Sequence, residues 1–178
     1  MSIKKQILKN NIVLVTEPIA TSKTVAIGFW FSVGSRYEAE NQSGITHFVE
    51  HMIFKGTPNR RAYEIACSFD RIGGYVNAFT ERELVCLHCV VPAQYAEFAL
   101  EILTDMTHNA LFLEQDVNKE RSVIESEIIS AQDDPEEACL DTVIDCVFPE
   151  NPLSKNICGT LDTVKNLYYG RIENPKIE

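Results

Sequence analysis

The periodicity of this chain changes character at Pro92, and that change restricts the fold more than any single motif does. Before Pro92, short runs rich in β-branched and aromatic residues predict strands over 5–8, 12–16, 24–33, 75–80 and 84–91, cut by Asn10-Asn11 and Gly34-Ser35. Two helices interrupt them. One opens at Gln42-Ser43-Gly44 and ends at Lys55-Gly56-Thr57-Pro58; the other covers 62–72 and stops at Gly73-Gly74, where a left-handed cap is expected. After Pro92 the pattern is helical, over 94–109, 114–132, 136–147 and 161–168. Strands first and helices later predict an α+β domain, with helices packed on one face of a largely antiparallel sheet. Residues 1–170 are expected to form that domain and 171–178 a polar tail, with no closing strand or helix.

A chain of 178 residues can bury roughly two thirds of the surface its unfolded form exposes. It needs no disulfide to do so. A net charge of −10 argues against nucleic acid and anionic membrane as main partners and suits a basic ligand. The longest apolar stretch, 25–33, is too short to span a bilayer, and the start lacks the apolar run of an export signal. The expected location is therefore a reducing, cytoplasmic compartment, with the six cysteines as free thiols. Cys86 and Cys89 fall on a strand and point to opposite faces, which argues against a shared metal. Cys139 and Cys146, seven apart on a helix, read as small buried apolar residues.

His47-Phe48-Val49-Glu50-His51 carries the chemistry. On a helix, positions 47, 50 and 51 share one face, so both imidazoles can grip one zinc ion. Glu50 is then held near the metal without binding it, where a general base for a bound water must sit. The order is H-x-x-E-H, the reverse of H-E-x-x-H.

Two histidines and a water leave a tetrahedral site one ligand short. The 114–132 helix supplies candidates: its apolar stripe runs Val117, Ile124, Ile128 and Ala131, and Glu120 and Glu127 are expected on that same buried side. Buried carboxylates need a partner or a metal. Glu125, about 200° around the helix from Glu127, reads as a solvated charge. This makes Glu127 the third ligand and Glu120 a catalytic or orienting helper. The competing reading pairs Glu120 and Glu127 with arginines at an interface. His88 and His108 have no such company and read as structural or surface residues.

The stretch Ser43-Gly44-Ile45-Thr46-His47-Phe48-Val49-Glu50-His51-Met52-Ile53-Phe54-Lys55-Gly56-Thr57 resembles the inverted-motif zinc endopeptidases: pitrilysin, insulin-degrading enzyme and, above all, the mitochondrial processing peptidase with its bacterial relatives. In that branch the third ligand is a glutamate about 76 residues after the second histidine, and Glu127 stands 76 residues after His51. The segment around Glu120 to Ile128 is similar too, except that Ser126 stands where the family usually has a glutamate. Gly73-Gly74-Tyr75-Val76-Asn77-Ala78-Phe79-Thr80 resembles the strand whose edge binds substrate, which implies contacts from Asn77, Ala78 and Phe79. Read without the resemblance, Asn77 is a strand-end residue. The stretch from Pro152-Leu153 to Gly159-Thr160 also matches a family segment.

The resemblance implies a zinc-dependent endopeptidase domain, with one zinc per chain, acting on extended or unfolded polypeptides. Glu50 is expected to take a proton from a zinc-bound water whose pKa falls toward about 7, and to pass it to the leaving amine. The family encloses its substrate between two halves, and the opposing half supplies an arginine and a tyrosine not assignable here. A truncated, zinc- and peptide-binding subunit that is inactive without a complementary domain is thus the alternative. Either reading implies a homo-oligomer or a complementary subunit.

Overall fold

In the computed structural model residues 3–167 are described. The expected tail over 171–178 and the last position of the expected 161–168 helix lie outside them. Strands β1 (Lys4–Ile7), β2 (Val13–Thr16), β3 (Thr24–Phe31), β4 (Tyr75–Thr80) and β5 (Val85–Pro92) alternate with helices α1 (Ile45–Met52) and α2 (Ala62–Arg71) as expected. Helices α3 (Ala96–Asn109), α4 (Glu114–Asp133), α5 (Pro135–Val147) and α6 (Leu161–Asn166) follow. α3 starts later than the sequence suggests because 93–95 forms a 3-10 turn first. The expected left-handed cap after α2 is present: Gly73 has φ +70° and the Gly74 N–H donates to the Phe69 carbonyl at 3.0 Å.

All strand pairs are antiparallel, but the strands divide into two sheets: a β1–β2 hairpin, and a three-stranded sheet in the order β3–β5–β4. Every residue of β1 and β2 is exposed, so the hairpin takes no part in the core. Side chains alternate across the larger sheet. Val76 and Ala78, Leu87, Cys89 and Val91, and Val25, Ile27 and Phe29 face one way. There Ile65 and Phe69 of α2 and Ala99, Ile102, Leu103 and Met106 of α3 cover them. The other face carries Trp30, Phe79, Tyr75 and His88, with Trp30–Phe79 and Tyr75–His88 ring centroids 5.8 Å and 6.1 Å apart. It is open, with Trp30 65% exposed. Helices therefore cover one face only, in an α+β arrangement.

A second core holds α1. Ile45, Phe48 and Met52 recur at i, i+3 and i+7 on α1 and meet Val117, Ile124 and Ile128 of α4, with Val164 and Leu167 beneath. Phe48 is completely buried, and truncating such a residue to Ala costs about 3–5 kcal/mol. The α1–α4 seam is what sets the histidines opposite α4.

The cysteine readings divide. Cys86 pairs in register with Trp30 and Phe79 on the open face, whereas Cys89 enters the core on the other. Cys139 and Cys146, expected buried, are exposed, because α5 turns Ala138, Asp141 and Ile144 inward instead. All six thiols are free. Among the described residues no helix is long and apolar enough to cross a membrane.

Candidate metal centre

With Phe48 and Met52 anchored in the core, His47, Glu50 and His51 leave α1 on its half-buried side. His51 Nε2 lies 3.2 Å from His47 Nε2 and 3.4 Å from Glu127 Oε2. Ligand atoms of these three residues all fall within 4.8 Å of one another. Tetrahedral zinc with bonds of about 2.0–2.1 Å has ligand-to-ligand edges of about 3.3 Å, so the spacing fits a zinc-sized ion. Glu50 is not in this trio, in keeping with a base rather than a ligand.

His51 is held from behind. Its Nδ1 lies 2.8 Å from Glu120 Oε1, and Lys55 Nζ lies 2.5 Å from Glu120 Oε2. A carboxylate only accepts, so Nδ1–H donates, and in the neutral imidazole that a metal would require the Nε2 lone pair is then the one facing His47 and Glu127. Burial works to raise the Glu120 carboxyl, but the hydrogen bonds from Lys55 and His51 outweigh it and hold the group below the usual range. Among the described residues Glu120 pairs with Lys55 and His51, and Glu127 with His51, rather than with the arginines of the competing reading.

Burial, with the neighbouring His51 charge adding to it, lowers His47 to about 4. At neutral pH it is an uncharged imidazole, the form that binds metal. Burial also pushes the Glu50 carboxyl up, against a 2.5 Å hydrogen bond from Thr80 Oγ1 and the charge of His51. A carboxyl raised in this way is better matched to proton transfer at neutral pH.

The burial argument for α4 needs correcting. Val117, Glu120, Ile124 and Ile128 are the buried positions, whereas the Glu127 side chain is 45% exposed and Ala131 only half-buried. Glu127 lies about 100° around the helix from Ile128, on the shoulder of the stripe, and reaches His51 from there. Glu125, expected to be solvated, is half-buried.

β4 is an edge of its sheet and ends at this cluster through Thr80 and Glu50. The Ala78 N–H donates to Asn77 Oδ1 at 2.9 Å, so it points away from β5, toward the free edge. Asn77 is exposed and Ala78 buried, while Phe79 turns to the open face against Trp30. Lys55 and Thr80 were not singled out by the sequence reading. Lys55 follows His51 by four residues, one helical turn, and that spacing was a usable signal. Thr80 had none beyond its place at a strand end.

The insulinase (peptidase family M16) model matches residues 13–161. An uncharacterized zinc protease of Bacillus subtilis (strain 168), YmxG, is 41% identical over 162 residues, which is 91% of this chain and 40% of that protein. A probable β subunit of the mitochondrial-processing peptidase from Arabidopsis thaliana is 35% identical over 167 residues, 94% of this chain and 32% of that protein. Among solved structures, a protease from Helicobacter pylori shares the fold with a TM-score of 0.90 at 24% identity, over 97% of this chain and 42% of that one. The chain thus spans two fifths or less of the length of these two curated relatives. The family match and the two relatives agree with the geometry of α1 and α4: the chain belongs to the insulinase family, peptidase family M16.

Proposed function

We propose that this chain is the zinc-binding domain of an endopeptidase that hydrolyses peptide bonds in extended or unfolded polypeptides. His47, His51 and Glu127 hold one zinc ion, Glu50 is the general base, and Glu120 helps by fixing His51. The observation that carries this reading is the convergence of two imidazole Nε2 atoms and one carboxylate oxygen beside a raised carboxyl that binds none of them. Zinc in such a site supplies Lewis-acid polarisation of a water and of the substrate carbonyl.

The chain's own residues do the rest. Thr80 orients one oxygen of Glu50, and Glu50 accepts the proton released by the attacking water and returns it to the leaving amine. Lys55 and Glu120 keep His51 in the tautomer that turns Nε2 to the ligand cluster. An extended peptide adds to the free edge of β4, where main-chain hydrogen bonds give affinity without strong sequence demands. Asn77 occupies the Ala78 amide until the peptide displaces it, and Phe79 lies on the flank of the added strand. The acidic balance of the chain favours basic polypeptides. Six unpaired thiols suit a reducing compartment such as the cytoplasm.

The test is cleavage of an unfolded peptide by the purified chain with one equivalent of zinc. Cutting that a chelator abolishes, and that Glu50→Gln lacks while still binding zinc, is the expected result. Cutting that ignores the chelator overturns the assignment.

The openness of the Glu127 side favours a second reading, a zinc- and peptide-binding subunit that is inactive until a second copy or a complementary subunit covers the site. The Arabidopsis relative is itself named as a subunit. Absent transition-state donors cost on the order of a hundredfold or more in rate. This reading predicts zinc-dependent peptide binding without cleavage, restored to cleavage only by an added partner.

A further inference from the structure

α1 is only eight residues long, so the directions of His47 and His51 depend on how its first turn is fixed. The first N–H groups of any helix lack partners within the helix. Gly44, at the N-cap, has no side chain to offer. Glu38 takes over that task from the preceding loop. It is 4% exposed, and its two carboxylate oxygens accept the Gly44 N–H at 2.7 Å and the Thr46 N–H at 2.8 Å. Its charge also lies at the positive end of the helix dipole.

Glu38 is in turn anchored by the segment that precedes α6. The Lys155 ammonium donates to the Glu38 main-chain carbonyl and lies 3.2 Å from Glu40 Oε1, while Ser35 Oγ donates to the Lys155 carbonyl at 3.3 Å. Beside it, Gly44 (φ +91°) and Gly159 (φ +75°) meet backbone to backbone. A Cβ on Gly44 would stand 2.4 Å from the Cys158 carbonyl oxygen, and one on Gly159 would stand 2.3 Å from that of Ser43. The start of α1 is thus gripped from two sides by groups that touch none of the three ligand atoms.

We propose that Glu38 is a positioning residue of the metal centre: by bonding the Gly44 and Thr46 amides it fixes the start of α1 before metal arrives, so that His47 Nε2 and His51 Nε2 already converge. The inference rests on reading His47, His51 and Glu127 as a zinc site. Glu38→Gln keeps the size of the side chain but turns an amide NH2 toward one of the two N–H donors. Chelator competition is expected to show zinc bound about tenfold or more weakly by this variant, with the fold retained by circular dichroism.

Asp134→Ala is the control, because Asp134 caps α5 by accepting from the Glu136 and Glu137 N–H groups. It should lower the melting temperature while leaving zinc affinity within about twofold of wild type. Wild-type zinc affinity in Glu38→Gln overturns the inference, and so does an equal loss in both variants. Should Glu38→Gln fail to fold, amide exchange on the wild-type chain decides. Protection of Gly44 and Thr46 in the zinc-free protein supports the inference, and protection that appears only with zinc overturns it. A wild-type chain that binds no zinc overturns the zinc site itself, an outcome distinct from these.

Discussion

Glu120 and Glu127 stand two turns apart on α4 and both reach His51, yet their surroundings are opposite. Glu120 is 6% exposed, with Lys55 and His51 on its two oxygens. The Glu127 side chain is 45% exposed and meets His51 at 3.4 Å from the open side. The closed side holds an imidazole in place whether or not a metal is present. The open side, with Glu127, Glu50 and the edge of β4, is where the function proposed above brings in water and peptide. A hydrolytic site needs both properties, and one helix supplies them by presenting one carboxylate on its buried stripe and another on the shoulder.

Glu50→Gln acts only on the open side. Peptide turnover should fall by about a hundredfold to ten-thousandfold, with zinc content by metal analysis unchanged. Glu127→Gln should weaken zinc binding by more than about a hundredfold, yet leave the unfolding free energy of the zinc-free protein, from urea melts, within about 0.5 kcal/mol of wild type.

Glu120→Gln should cost less in zinc affinity, about 10–100-fold, but destabilise the zinc-free protein by about 1–3 kcal/mol, because Lys55 loses its carboxylate. If the two variants exchanged behaviours, the division into a closed and an open side would be wrong.

The smallest effect is a pH dependence. His47 titrates at about 4 in the folded chain and near 6.5 when free. Between those values the unfolded chain binds a proton that the folded one does not, so stability falls as pH falls through that window. Urea melts of the zinc-free protein at pH 7 and pH 5 should show the lower midpoint at pH 5. The raised Glu38 and Glu50 carboxyls act in the opposite sense, so the His47→Gln variant, which should lose the fall between pH 7 and pH 5, assigns it; a fall that persists in this variant sinks the assignment.

The strand and helix order was legible because local periodicity states it. The switch at Pro92, the Gly73 cap and the i, i+3, i+7 stripe of α1 are all short-range signals. The separation into two sheets was not, since nothing local in β1 or β2 says that the hairpin takes no part in the core. At the site, the stripe argument for α4 put Glu120 on the buried side, where it lies. It selected Glu127 on a premise of burial that the structure does not bear out, because a seven-residue spacing drifts around a 3.6-residue helix. Glu38 gave no local signal at all. It lies six residues before the glycine it caps, outside any capping pattern, and only the loop over 38–44 brings it back.

The two halves of the grip on α1 are far apart in the chain, with Lys155 117 positions beyond Glu38. Proteins emerge N-terminus first at about 5–20 residues per second, so the histidines are synthesised well before Glu127, and both before the segment carrying Lys155 and Gly159. At that rate the 117 positions from Glu38 to Lys155 take about 6–23 s, during which the Lys155 and Gly159 half of the grip on α1 is missing. The approach of the two histidines to Glu127 is therefore braced by segments 117 positions apart, and that brace exists only once the chain as far as Gly159 has been made and folded back onto α1.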